Sequence, residues 1–172
     1  MKNNFINAFQ YTPLGDGGKM EFIFKYIRRN RELFLELVNG LSIEQLNTIS
    51  EGFNNNIAWN FGHIVVSTQL LCYVRPEVKP DIDILFKTKY QKGSKPEGFI
   101  PQEEIDTLKQ LLVLTINAIE EDAKNNVFKK ITPYSTATYG YEMNTTEEIL
   151  TCTLAHDSLH YGYALAQKKL VR

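Results

Sequence analysis

The sequence is poor in the residues and motifs that build several common kinds of site. Its two cysteines, Cys72 and Cys152, are too few for a disulfide framework and favour a reducing, cytoplasmic location. It contains no Gly-x-Ser-x-Gly, no phosphate-binding glycine loop and no dinucleotide fingerprint. A hydrolase triad and a nucleotide site therefore have no support. The chain has only three histidines, so any histidine-based site must be built from these.

Long apolar runs and long basic runs are also missing from the sequence. No apolar window is expected to reach the length of a membrane span, and Met1–Gly18 lacks the continuous apolar segment of a secretory signal. The 19 basic and 20 acidic residues nearly cancel, and the longest basic stretch is only Tyr26–Arg31. Phosphate contacts need a concentrated basic face. We therefore predict a cytoplasmic protein that binds neither nucleic acid nor a membrane.

The length and composition fit one globular domain. A chain of 172 residues with 43% hydrophobic and 23% charged residues can bury a core of its own. Residues 1–18 alternate between polar and aromatic and end in Pro13-Leu14-Gly15-Asp16-Gly17-Gly18, which favours a turn. We predict an N-terminal arm over residues 1–18 and a single domain over residues 19–172.

Four segments have helical character. Apolar residues at three-four spacing predict a first helix from Lys19 to near Gly40, and Ile57–Val74 predicts a second that is apolar on nearly all sides. A third begins at Pro101, and a capping box at Thr145 opens a fourth that ends near Lys168. The four segments together predict an all-α four-helix bundle.

Two long connections separate these helices. Residues 75–100 and 127–144 carry prolines and glycines and show no sustained apolar period or strand alternation. A connection as long as the first is expected to be a lid or a mobile segment. The topology therefore need not be a simple up-and-down bundle.

The three histidines are the main functional candidates. His156 and His160 are four residues apart on the predicted fourth helix, so they share one face and are separated by roughly 6 Å of rise. His63 lies in the predicted second helix. Three converging imidazoles would hold a dication and leave a coordination position open, as in catalytic metal sites. Such a pair also occurs as ordinary surface or core histidines, so the spacing alone does not decide.

Three neighbours of the histidines are candidate pocket residues, although no catalytic residue can be assigned. Trp59 and Asn60 share the side of the predicted helix that carries His63, and Tyr163 shares the side that carries His160. Asn60 equally suits a buried polar position in the core, and aromatic residues at such positions are more often part of the core. Small-molecule pockets are mostly apolar with a few polar groups, which aromatic and amide side chains supply.

Two further residues flank His156. Cys152 lies one turn earlier, where it is either a fourth ligand or, more commonly for a lone helical cysteine, a small buried residue. Asp157 follows His156 directly and therefore points about 100° away around the helix. We predict that Asp157 is a surface residue and has no part in the site.

These motifs together resemble a known family. The order of Gly62-His63-Ile64, a long connection, and then His156-x3-His160-x-Gly162 is similar to that of the DinB/YfiT-like metalloprotein superfamily, the DinB family. The stretch Leu41–Asn47 also resembles the link between the first two helices of its members. The resemblance extends from about Lys19 to Lys168. One departure is Tyr163, which stands where members often carry glutamine.

The resemblance implies a fold and a chemistry. It implies a four-helix bundle with a long second connection that crosses over, often a homodimer, and a divalent metal, zinc or nickel, held by His63, His156 and His160. Some members transfer a low-molecular-weight thiol. The expected function is a metal-dependent thiol S-transferase that acts on small electrophilic molecules. The alternatives are a metal-dependent hydrolase and a non-enzymatic metal-binding or structural bundle.

Overall fold

Four long helices form the body of the protein in a computed structural model that describes residues 16–171. They are α1 (Asp16–Asn39), α3 (Ile57–Gln69), α5 (Gln102–Lys124) and α6 (Thr146–Lys168). The prediction of an all-α four-helix bundle is confirmed. Most of the arm predicted for residues 1–18 lies outside the described residues. From Asp16 the chain is already helical, so α1 begins three residues before the predicted start at Lys19.

The sequence-encoded caps lie at the helix starts. At α6, the backbone N–H of Glu148 donates to the Thr145 hydroxyl at 3.2 Å and the Glu148 carboxylate accepts from the Thr145 N–H at 3.0 Å. The same reciprocal arrangement joins Ser42 and Gln45 at the short helix α2 (Ile43–Asn47). These side chains bind N–H groups that have no partner inside the helix, which fixes where each helix begins.

The long connection between α3 and α5, residues 75–101, runs back along the whole length of the bundle. Asn47 binds both Asn56, just before α3, and the backbone of Ile100, just before α5. At the opposite ends of the same two helices, the Tyr73 hydroxyl donates to Asp122 at 2.5 Å. Helices α3 and α5 are therefore parallel, and residues 75–101 must cross over to join them. The expected crossover is confirmed.

Four local elements were not predicted, and one of them is a 3-10 helical turn over Val127–Lys129. The predicted second helix ends in a π-helical segment, Leu70–Val74, and a short helix α4 (Lys87–Tyr90) interrupts the crossover. Strands β1 (Tyr134–Ser135) and β2 (Glu142–Met143) form an antiparallel hairpin in the stretch that was expected to lack strands. Two residues per strand are too few to give a visible alternation in the sequence.

The central helix, with the π-helical segment that follows it, is as long and apolar as a membrane span. Ile57–Val74 is long and apolar enough to cross a membrane, so the expectation that no window would reach that length is wrong. Within the bundle, 78% of this stretch is buried. Its apolar character is therefore that of a core helix, enclosed by α5 and α6.

A buried ion pair joins α1 to α6. Arg31 donates from Nε to Asp157 at 3.0 Å, and its other nitrogens donate to the Leu112 carbonyl and the Thr68 hydroxyl. Asp157 is fully buried, so its prediction as a surface residue is wrong. Helix α6 packs against α1 as well as α3, and the side of α6 that carries Asp157 therefore meets protein instead of solvent.

Candidate metal centre

The three histidines meet between α3 and α6. One ring nitrogen from each of His63, His156 and His160 lies within 4.8 Å of the other two. The Nε2 atoms of His63 and His156 are 3.3 Å apart. The antiparallel packing of α3 and α6 brings His63 opposite the two α6 histidines, which are one turn apart on a shared face.

The spacing and the donor type suit a single dication. Two nitrogens bound tetrahedrally to zinc at about 2.0–2.1 Å would be about 3.3 to 3.4 Å apart. The His63 and His156 nitrogens already have that separation, at 3.3 Å. The three nitrogens lie within 4.8 Å of one another, so any pair farther apart than this spacing must move closer when one ion binds. The donor set fits the metal that the resemblance implies, while the role of the histidines as ligands stays a prediction.

A backbone carbonyl fixes the orientation of His63. The Nδ1 of His63 lies 2.6 Å from the carbonyl oxygen of Tyr90 in α4. Since a carbonyl can only accept, Nδ1 carries the hydrogen and Nε2 keeps its lone pair for the centre of the cluster. The Trp59 ring stacks on the His63 ring at a centroid distance of 4.7 Å and limits its rotation. Outer contacts of this type orient metal-binding histidines.

A chain of amides fixes the orientation of His160. Its Nδ1 lies 2.7 Å from Oδ1 of Asn60. The Asn60 amide nitrogen donates to the carbonyl of Asn56 at 2.9 Å and to the Gln167 side chain at 3.0 Å, so Oδ1 is the acceptor. His160 therefore donates from Nδ1, and its Nε2 lone pair is free to face the cluster.

His156 is held less firmly than the other two rings. Its Nδ1 is 3.5 Å from the hydroxyl of Ser67, at the outer limit of a hydrogen bond. That hydroxyl donates to the His63 carbonyl at 2.6 Å and so offers a lone pair to His156. His156 is therefore the ring with the most freedom to adjust.

Burial keeps the cluster uncharged. Desolvation lowers the pKa of His63, although its hydrogen bond to Tyr90 opposes the shift. Desolvation, and next the neighbouring His63, lower the pKa of His156 to about 4. The same causes, together with His156, lower the pKa of His160 to about 2. All three imidazoles are therefore neutral at pH 7, the form that binds a metal.

The histidines form one wall of a cavity of about 330 Å³. Its other walls come from α3, α6 and both long connections, and they include Trp59, Ser67, Arg75, Lys92, Tyr139 and Cys152. The volume is at the lower end of the range for small-molecule pockets. The crossover is held close to this cavity because Tyr90 is fully buried and Lys89 pairs with Glu104 at 2.6 Å.

The candidate pocket residues have different positions. Trp59 lines the cavity, whereas Asn60 is fully buried behind His160 and contacts it from outside the cavity. Tyr163 is 49% exposed, packs on Phe53 and does not line the cavity. Cys152 lines the cavity, but its sulfur is not part of the group of close ligand atoms that the three histidines form.

Two residues that shape the centre were missed in the sequence analysis. Tyr90 lies in the crossover, where no periodic pattern marks it, and it acts through a backbone carbonyl that any residue would have. Gln167 binds Asn60 from the last turn of α6. The one sign in the sequence of a close neighbour such as Tyr90 was the glycine at position 62, because a helical glycine often marks close packing.

The fold and the site together define a class of protein. The chain is an all-α bundle in which three neutral histidines surround one point beside a cavity, which makes it a helical-bundle protein with a candidate open metal site. A family profile described as the DinB superfamily matches residues 26–164, which include all three histidines. The match covers more than half of the chain, and the protein belongs to the DinB superfamily. No curated protein matches the chain.

Proposed function

We propose that this protein binds one divalent metal ion, zinc or nickel, through His63, His156 and His160, and that it transfers a low-molecular-weight thiol to small electrophilic molecules. The observation that carries the proposal is the cluster of three neutral imidazoles exposed along one wall of a cavity. A dication bound there would supply a Lewis acid that keeps a thiol in its deprotonated, nucleophilic form at neutral pH.

The composition of the cavity supports thiol transfer over hydrolysis. Metal-dependent hydrolysis commonly uses a carboxylate next to the metal as the general base for water. Among the described residues that line the cavity, none is aspartate or glutamate. A thiol needs no such base because coordination itself removes the proton.

The proposed reaction is a substitution at carbon. The thiol loses its proton to solvent, its sulfur forms a bond to the electrophilic carbon, and the bond from that carbon to the leaving group breaks. The leaving group departs with the electron pair. Trp59, Leu70 and Leu159 give the cavity an apolar lining that suits the carbon skeleton of the electrophile.

Location and assembly stay predictions. We expect a cytoplasmic homodimer whose partners are small molecules. Large apolar side chains are exposed on the long helices, among them Phe22 and Tyr26 on α1, whose ring centroids are 4.6 Å apart. Sedimentation velocity on the untagged protein would measure the assembly, with a monomer across the micromolar range as the contradicting result.

Metal content is the first test. Untagged protein should contain close to one zinc or nickel ion per chain by elemental analysis, and single His63→Ala, His156→Ala and His160→Ala variants should lose most of it. Cys152→Ser tests the fourth-ligand alternative and should keep its metal. Ser158→Ala, an exposed site on the same helix, serves as the control. Circular dichroism would check that each variant remains helical.

Turnover is the second test. Metal-loaded protein incubated with thiols and an electrophilic dye should form the thioether faster than the uncatalysed reaction, and the histidine variants should lose this rate. Metal binding without any turnover across thiols would contradict the transferase proposal and support the non-enzymatic alternative. Hydrolysis of ester or amide substrates without thiol transfer would support the hydrolase alternative.

A further inference from the structure

We propose that the substrate taken by this cavity is a small anion whose carboxylate or similar oxyanion group binds to Arg75 and Lys92, which line the cavity. The inference rests on the proposed function, in that it takes the histidine-lined cavity to be the substrate site. It adds the charge of the substrate and names the two side chains that select for it.

The charged side chains that line the cavity are of one sign. Arg75 and Lys92 are the cationic side chains among its described lining residues, and no carboxylate lies with them. This contrasts with a whole chain in which 20 acidic residues slightly outnumber 19 basic ones. A bound dication would add further positive charge. A cavity of this kind attracts anions and disfavours cations.

Arg75 is held in place by the hairpin. Its Nη2 donates to the Ser135 carbonyl at 3.0 Å, and its guanidinium lies over the Tyr134 ring at 5.2 Å. The Tyr134 hydroxyl is in turn fixed by donation to the Leu71 carbonyl at 2.6 Å. A guanidinium has five N–H donors, and this contact uses one of them. A positioned guanidinium with remaining donors is well suited to bind a carboxylate.

Lys92 approaches the cavity from the crossover. Two other lysines of this connection are already paired, since Lys79 binds Asp122 and Lys89 binds Glu104. Within residues 16–171, Lys92 has no carboxylate at ion-pair distance. The loop that carries it is tied to the metal centre, because the indole N–H of Trp59 donates to the Ser94 hydroxyl at 3.2 Å.

The arrangement specifies a ligand with two different ends. One end must present an atom that binds at the histidine wall, and the other must present negative charge to two cations from different parts of the crossover. A cavity of about 330 Å³ restricts the candidates to small molecules. A thiol that also carries a carboxylate meets all of these requirements.

Binding can be followed through Trp59, the one tryptophan of the chain, which lines the cavity and stacks on His63. Zinc-loaded protein would be titrated with 3-mercaptopropionate and, separately, with 3-mercapto-1-propanol, which has the same sulfur and chain length but no charge. We expect the carboxylate to bind about fivefold more tightly at low salt. The preference should shrink in about 0.5 M salt because exposed charges are screened.

Variants identify the two cations. Arg75→Gln and Lys92→Gln should each reduce the preference for the carboxylate, and the double variant should abolish it while leaving the affinity for 3-mercapto-1-propanol unchanged. Arg29→Gln and Lys95→Gln remove exposed cations that do not line the cavity and should retain the full preference. Equal affinity of the wild-type protein for both thiols, or an unchanged preference in the double variant, would overturn the inference.

The two proposals fail in different ways. If the protein binds neither zinc nor nickel, the proposed function fails, and titration of the metal-free protein with propionate against 1-propanol still tests the anion site. If zinc binds and both thiols bind equally well, the anion inference fails alone.

Discussion

Gly62 lies directly against the ring of Tyr90, the residue whose carbonyl holds His63. A Cβ atom on residue 62 would meet a ring carbon of Tyr90 at 2.5 Å. The ring cannot easily move away, because Tyr90 is fully buried and its hydroxyl donates to Glu104. The absent side chain at residue 62 therefore allows the crossover to come close enough for the Tyr90 carbonyl to reach Nδ1 of His63 at 2.6 Å.

Gly62→Ala should weaken metal binding and lower the free energy of unfolding. Overpacking at a rigid neighbour costs about 1–3 kcal/mol, which exceeds the gain of up to about 1 kcal/mol from replacing a helical glycine. The matched control is Gly162→Ala in α6, where a Cβ would meet nothing within 4 Å and which should be stabilising. Urea unfolding of both variants measures the contrast. A stabilised Gly62→Ala variant with wild-type metal affinity would contradict the assigned contact.

Asn60→Ala should lower metal affinity by about 10- to 100-fold, the usual effect of losing an outer partner of a metal-binding histidine. The variant leaves Nδ1 of His160 without its acceptor, and Gln167 loses a partner at 3.0 Å. Competition with a chromogenic chelator measures the affinity. Asn54→Ala, at an exposed site before α3, should have no effect. An unchanged affinity in Asn60→Ala would mean that His160 is oriented by other contacts.

Arg31→Met should destabilise the protein by about 3–5 kcal/mol, because it leaves the fully buried Asp157 without its counter-charge. Adding Asp157→Leu should recover much of the loss, since replacing both partners removes the uncompensated charge. Arg29→Gln breaks exposed pairs and should cost less than about 1 kcal/mol. Chemical denaturation of these variants would measure the free energy of unfolding of each. Equal losses of stability for Arg31→Met and Arg29→Gln would contradict the burial of the Arg31–Asp157 pair.

Stability of the metal-free protein should fall as the pH is lowered from about 6.5 to about 4. Burial lowers the pKa of His156 from 6.5 to about 4. In this window the unfolded chain takes up a proton that the folded chain does not, which favours unfolding. Urea titrations at several pH values on chelator-treated protein would measure the slope. In the His156→Gln variant, the free energy of unfolding should depend less steeply on pH. An identical dependence would mean that a group other than His156 takes up the proton.

The four helices and their ends were predictable from local properties. The apolar spacing in α5 and the capping boxes at Ser42 and Thr145 are encoded within a few residues of the elements they define. The positions of His63, His156 and His160 on two helices followed from the same reasoning. The closeness of their nitrogens depends on how α3 and α6 pack, which local periodicity does not contain.

Longer-range relationships explain the errors. Asp157 was assigned to the surface from its angle around one helix, but its partner Arg31 lies 126 residues earlier in the chain. Tyr90 acts on His63 through its backbone carbonyl, a group that every residue has and that no residue type marks in the sequence. The hairpin at residues 134–143 has strands too short for alternation to appear. Each case is decided by tertiary packing that a single helix or loop does not reveal.

The claim that three histidines form one metal centre is tested most directly by calorimetric titration of metal-free, untagged protein with zinc. We predict saturation at one zinc ion per chain in the wild-type protein, and no specific binding in a variant with His63, His156 and His160 all replaced by alanine that remains helical. Absence of binding by the wild-type protein, or an unchanged titration of the triple variant, would contradict the claim.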